Sequence, residues 1–168
     1  MKKFLAISLI VASTALTTTT PAHAAQISEE QAGVISMTCG SVQLQLKKLQ
    51  KTDSRIRVFL GSKFEFAQTN LMTNLILRLV KNNLTISPFD SSRSTFSSER
   101  EYFKSAFTDY ARSLDALIST NCQSNPYNFY DQLESTREKR ENVRQSYLRL
   151  KDVLSDHRTI VVNFKDSL

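Results

Sequence analysis

The stretch CGSVQLQLKKLQKTDSRIRVFL, residues 39–60, decides the fold. Its inward candidates are Val42, Leu46, Leu49, Asp53, Ile56 and Leu60, separated by alternating steps of four and three. That spacing puts all six on one stripe of an α-helix, and the stripe is a heptad-like seam that must be covered by other helices. One seam position, Asp53, is charged. The helix is expected to run from about Cys39 to Lys81, less strictly through Phe64, Ala67, Leu71 and Leu75, and to stop at Asn82-Asn83. Upstream, Ser28 and Gln31 form a capping-box pattern that predicts a short helix over about 29–37, its end blurred by Gly33 and Gly40.

Two further seams follow. Phe96, Arg100, Phe103, Phe107, Tyr110, Leu114, Leu117 and Asn121 predict a helix over about 95–121. Its start is ambiguous, since Ser98 and Glu101 also read as a capping box. The proline and serine cluster at 82–94 reads as a loop. Asn125-Pro126 predicts a helix start, and the seam Phe129, Leu133, Thr136, Arg140, Val143, Tyr147, Leu150, Leu154, His157, Val161, Phe164 carries that helix to about Lys165. Nothing alternates with the period of a strand. The expected fold is all-α: an elongated, coiled-coil-like antiparallel three-helix bundle with a short N-terminal helix and one disulfide. The alternative is a more compact bundle of broken helices.

Residues 1–24 read as an export signal: Lys2 and Lys3, the apolar run Phe4–Leu16, a polar segment, and the small-x-small tripeptide Ala22-His23-Ala24. The apolar run is short for a bilayer span. Cleavage would leave 144 residues, one helical domain over 25–168 with a modest basic excess. The expected location is periplasmic, cell-surface or secreted, with no transmembrane segment after cleavage. Cys39 and Cys122 are the only cysteines. In an exported chain an even count is usually paired. Cys39 begins one long helix and Cys122 ends the next, so an antiparallel pair brings them together.

That pairing also sets a register. Residue n of the first long helix lies level with residue n + 87 of the third, which places Asp53 beside Arg140, the polar interruption of its own seam. An ion pair between them inside the bundle is expected, in the register-fixing role that polar seam residues have in coiled coils. The alternative is local pairing, Asp53 with Arg57 and Arg140 with Glu138 or Glu141. Gly61, inside the first long helix, is read as admitting a bulky neighbour such as Tyr147 or Phe103, or else as a neutral surface glycine.

Catalytic motifs are missing. His23 leaves with the signal, so His157 is the only remaining histidine, and three glycines cannot build a phosphate loop. Neither GxSxG nor SxxK occurs. No catalytic residue, metal ligand or cofactor is assigned, and a non-enzymatic role is expected. Two surfaces stand out. Lys47, Lys48, Lys51 and Arg55, with Arg137 and Arg144 at the same height on the third helix, form a candidate anion-binding belt; the alternative is a solvated face with local ion pairs. Leu75, Leu79, Val161 and Phe164 form an apolar distal end, covered by the 82–94 loop or else open for self-association or docking. The expected partner is an envelope protein or an anionic cell-surface polymer. Nucleic acid is not expected, because the belt lacks interleaved aromatic residues.

The Cys-led helix CGSVQLQLKKLQKTDSRIRV (39–58) and the segment NCQSNPYNFYDQL (121–133) give the chain a resemblance to small exported helical proteins of uncharacterised function from reduced-genome bacteria. The resemblance implies an exported, disulfide-clipped helical protein and carries no functional residues. The expected function is binding or scaffolding at the cell surface or in the extracytoplasmic space, with an extracytoplasmic holdase for unfolded clients as the alternative.

Overall fold

The computed structural model describes residues 27–167; the export signal expected over 1–24 lies outside them. Among the described residues there is no strand. Helix α1 spans Glu29–Phe66, a π-helical segment spans Ala67–Thr73, and α2 spans Asn74–Lys81; together they form one rod. Helix α3 spans Ser87–Ser119 and α4 spans Pro126–Asp166. The three rods form an antiparallel bundle, with α3 and α4 as its closely packed hairpin. At about 1.5 Å per residue α1 alone is about 57 Å long.

The expected short helix over 29–37 is not separate. Ser28 caps α1 through the predicted capping box, its hydroxyl accepting from the Gln31 amide at 3.2 Å while its own amide donates to Gln31 Oε1 at 2.8 Å. From there the helix runs on through Gly33 and Gly40, neither of which takes a positive φ. The reason is burial: Ala32, Cys39, Leu46 and Asp53 recur every seven residues and all face inward. A continuous seam outweighs the roughly 1 kcal/mol that each glycine costs relative to alanine.

The same heptad explains the π segment. Extended as pure α-helix beyond Ala67, it would turn Leu71, Asn74 and Arg78 inward. The wider π turn accommodates one extra residue, and Met72, Ile76 and Leu79 are buried instead. Leu71, expected in the seam, is exposed. Thr73 marks the wide turn by donating its hydroxyl to the carbonyl five residues back, at Gln68.

The expected 82–94 loop is mostly helix. Only residues 82–86 connect α2 to α3, and Asn83 makes the turn with a φ of 54°. Pro88 stands in the first turn of α3, where it loses no hydrogen bond. The inward series is Phe89, Phe96, Phe103, Tyr110 and Leu117, each seven residues after the last and all nearly inaccessible. Phe89 is therefore one heptad upstream of the expected start, hidden among serines.

Helix α3 ends at Ser119 rather than Asn121. In the turn that follows, the Asn121 carboxamide oxygen accepts from the amides of Gln123 and Ser124 at 3.0 and 3.1 Å. Asn125 is the N-cap residue of α4, but its side chain makes no capping bond. Cys39 and Cys122 are joined in a disulfide with a Cα–Cα distance of 5.4 Å. Beside it, Gln43 Nε2 on α1 donates to the Thr120 carbonyl at 3.1 Å, a second tie between the same two chain segments.

The core has an aromatic centre. Phe64 meets Phe96 and Phe103 edge-on, at ring separations of 6.0 and 5.4 Å, and Phe103, Phe107 and Tyr110 follow edge-to-face along α3. These large rings stand between α1 and the α3–α4 hairpin. In contrast, α3 and α4 meet through small groups: Ser113 and Thr136 share a hydroxyl hydrogen bond at 2.8 Å, and Ser146 is fully buried.

Candidate functional site

The middle of α1 combines three features: a buried carboxylate, an adjoining cleft, and an outward face crowded with cations. Asp53 Oδ2 accepts from the Tyr110 hydroxyl at 2.7 Å and from Arg140 Nε at 3.2 Å. Asp53 and Arg140 are thus close enough to form an ion pair, but burial is one-sided: the Asp53 side chain is 9% exposed and that of Arg140 is 54% exposed. The pair lies at the bundle rim, and the tyrosine is the partner that shares the carboxylate's burial. Burial, with the carboxylate beside it, pushes the Tyr110 phenol well above its usual range. The signal for this third member was its seam position, one turn after Phe107 at the end of a run of phenylalanines.

Residues 54–59 are all exposed, among them Ile56, a member of the expected seam that here lines a cleft. A cleft of about 600 Å³ opens between α1 and α4, with Ile56, Leu60, Val143 and Tyr147 on its walls and Phe107 and Tyr110 at its floor. Gly61 does not admit a neighbour: a Cβ there would meet nothing within 4 Å. Arg57 lies over the Phe107 ring at 5.9 Å instead.

The six cations of the expected belt divide into two groups. On α4, Arg137 pairs with Glu134 one turn away, and Arg144 with Glu141 at 2.8 Å. The Arg144 guanidinium holds the Glu141 carboxyl below the usual range. On α1, Lys47, Lys48, Lys51 and Arg55 are exposed and pair with no carboxylate among the described residues. The belt therefore narrows to one face of one helix.

Charge along the chain is correspondingly uneven. Residues 82–168 hold twelve cations and twelve acids, whereas residues 37–81 hold eight cations and two acids. Neither of those acids offsets the lysine face: Asp53 is turned into the bundle, and Glu65 pairs with Arg100. The outer face is also apolar. Met37, Leu44, Phe59 and Phe66 are exposed by 81, 55, 59 and 53%. With Ser41, Lys48, Lys51, Arg55 and Ser62 they form a second line of four- and three-residue steps, opposite the core seam. In the sequence this line is less regular than the core-facing one, since charged, polar and apolar residues share it.

At the distal apolar end Leu75, Leu79, Val161 and Phe164 are covered, while Leu77, Val80 and Val162 stay exposed on its outer side. Leu79 is 5% exposed and packs with Ile76 and Phe89, while Leu75, Ile86, Val161 and Phe164 close around them half-buried. Phe89 meets Phe164 edge-on at 5.2 Å. The cover comes from within the expected 82–94 segment, Ile86 in the connection and Phe89 in the first turn of α3, as helix rather than loop.

No group of three or more His, Cys, Asp or Glu side chains is placed to hold a metal ion among the described residues. No described helix is long and apolar enough to cross a membrane. Neither protein-family models, nor curated proteins, nor solved structures give a match to this chain.

Proposed function

We propose that this chain is an exported, non-enzymatic binding protein that docks onto an anionic surface outside the cytoplasm through the outer face of α1. One observation carries the reading: the charge excess of residues 37–168 falls entirely within residues 37–81, and its central cations are unpaired. On α3 and α4 most arginines are matched by a carboxylate within one turn or across the interface, so those helices offer little net field. An uncompensated stripe concentrates the field on one side and attracts anions over about a Debye length, roughly 8–10 Å at ordinary salt. The disulfide and the aromatic core supply a stiff rod on which to mount it.

The test is salt-titrated binding to a soluble polyanion, with polyglutamate as the probe. Binding that weakens steeply with salt, and is lost when Lys47, Lys51 and Arg55 are together replaced by Glu, is the expected result. Salt-independent binding, or binding unaffected by that charge reversal, would sink the reading. The holdase alternative would use the exposed apolar side chains of the outer face of α1 or of Leu77 and Val80, because Leu79 is already covered by Phe89.

A further inference from the structure

The outer face of α1 carries more than charge, and a soluble polyanion has no use for the rest of it. Met37 and Leu44 lie at one end of the lysine cluster; Val58, Phe59 and Phe66 lie at the other. All five are at least half exposed. Phe59 has the Lys63 ammonium over its ring at 5.5 Å, so the cation and the apolar surface are offered together. The line from Met37 to Phe66 is one uninterrupted helix face, about 44 Å long at 1.5 Å per residue. It is straight and convex rather than a pocket.

We infer that this face lies flat on an anionic lipid bilayer, its lysines and Arg55 on the headgroups and its Phe and Met side chains in the acyl boundary. The inference rests on the anion-docking reading above and names the surface. The face is one mixed stripe, with Lys48, Lys51 and Arg55 between two exposed apolar ends; on a bilayer the long cationic side chains reach the headgroups while the apolar side chains at either end enter the acyl boundary. Each lysine or arginine near such a surface contributes attraction on the order of 1 kcal/mol. A second copy of this chain fits poorly, since a two-fold contact through this face would set Lys47, Lys48, Lys51 and Arg55 against themselves. Between Met37 and Phe66 the only acids are Asp53 and Glu65, engaged by Tyr110, Arg140 and Arg100, while Glu29 and Glu30 stand beyond that line in the first turn of α1.

The experiment uses the protein lacking residues 1–24, because an export signal would itself enter lipid; the described fold lies wholly from residue 27 onward. Vesicles of phosphatidylcholine alone are compared with vesicles containing about 30% phosphatidylglycerol, by flotation, beside the polyglutamate titration. The expected result is partitioning at least about tenfold stronger onto the anionic vesicles. The double variant Phe59→Ser, Phe66→Ser should lose about tenfold of vesicle binding and none of its polyglutamate binding, with its thermal unfolding unchanged because both rings are outside the core. Should this variant bind vesicles as the parent does, the bilayer is the wrong partner while the anion-docking reading stands. Failure to bind either vesicles or polyglutamate would overturn both. Vesicle binding absent beside intact polyglutamate binding would point to a polymer or an acidic protein and overturn the bilayer alone.

Discussion

Tyr110 and Asp53 share one buried hydrogen bond, 2.7 Å long, at the point where the seams of α1 and α3 cross. Arg140 completes the carboxylate's coordination from the solvent side. The two contacts differ in depth, and the energetic consequences follow from that difference.

Removing the carboxylate in Asp53→Ala strands the Tyr110 hydroxyl in the core and should cost about 2–3 kcal/mol. Arg140→Ala removes a charge that is already half in water and should cost less than about 1 kcal/mol. Urea unfolding of both variants, with unchanged denaturant slopes, measures the contrast. Equal losses would mean that the arginine, not the tyrosine, is the partner that matters.

His157 gives the fold an acid sensitivity. It is buried, its ring meets Phe89 edge-on at 6.2 Å, and its Nδ1 lies 3.1 Å from Ser92 Oγ. Burial lowers its pKa from the ordinary 6.5. The unfolded chain then binds the proton more readily than the folded one, so this stability is complete above pH 6.5 and is lost as pH falls through and below it. The expected slope approaches about 1.4 kcal/mol per pH unit at most. Thermal unfolding of the parent and of His157→Gln between pH 7 and about 5, above most carboxylate titrations, should show the slope in the parent alone. At the other extreme, the raised Tyr110 pKa predicts loss of stability as pH rises beyond 10, absent in Tyr110→Phe.

Reduction of Cys39–Cys122 opens a closed loop with a sequence separation of 83. The chain-entropy model assigns such a loop about 4.5 kcal/mol, and measured values are often smaller. A Cys39→Ser, Cys122→Ser variant should stay helical and unfold at lower temperature. Circular dichroism with and without reductant checks both halves of that statement.

Deleting Asn70 should be tolerated. Asn70 is exposed within the π segment, and its loss lets an unbroken α-helix carry Ala67, Met72 and Ile76 inward. Deleting exposed Thr52 instead would rotate the seam on one side of Leu46–Asp53 by about 100° per residue and should unfold the bundle. A comparison of melting temperatures that placed the two deletions together would refute the one-residue-insertion account.

Gly61→Ala should stabilise by about 0.4–1 kcal/mol, because the residue is helical and a Cβ would enter open space. Denaturant midpoints decide it; a loss of stability would mean that the cleft beside Arg57 closes further in solution.

Periodicity was enough to place three rods, and Asn82-Asn83 and Asn125-Pro126 marked the helix end at Lys81 and the helix start at Pro126. The cysteine pair followed from an even count in a chain read as exported and from the antiparallel topology, and the register of 87 residues from where that pair sits on the helices. Local composition misled where burial overruled it: the serines around Phe89 read as loop, and Gly33 and Gly40 as a break. Tertiary structure alone decided three things. It brought Tyr110 to Asp53, since which inward residue meets which depends on how large rings fill the space between helices. It widened the rod into a π turn, since only the partner helices determine that Met72 and not Leu71 must face inward. And it left Lys47, Lys48, Lys51 and Arg55 unpaired among the described residues while Arg137 and Arg144 met carboxylates one turn away and Arg140 and Arg149 met them on other helices, because pairing requires a carboxylate within reach, and reach is a property of the folded chain.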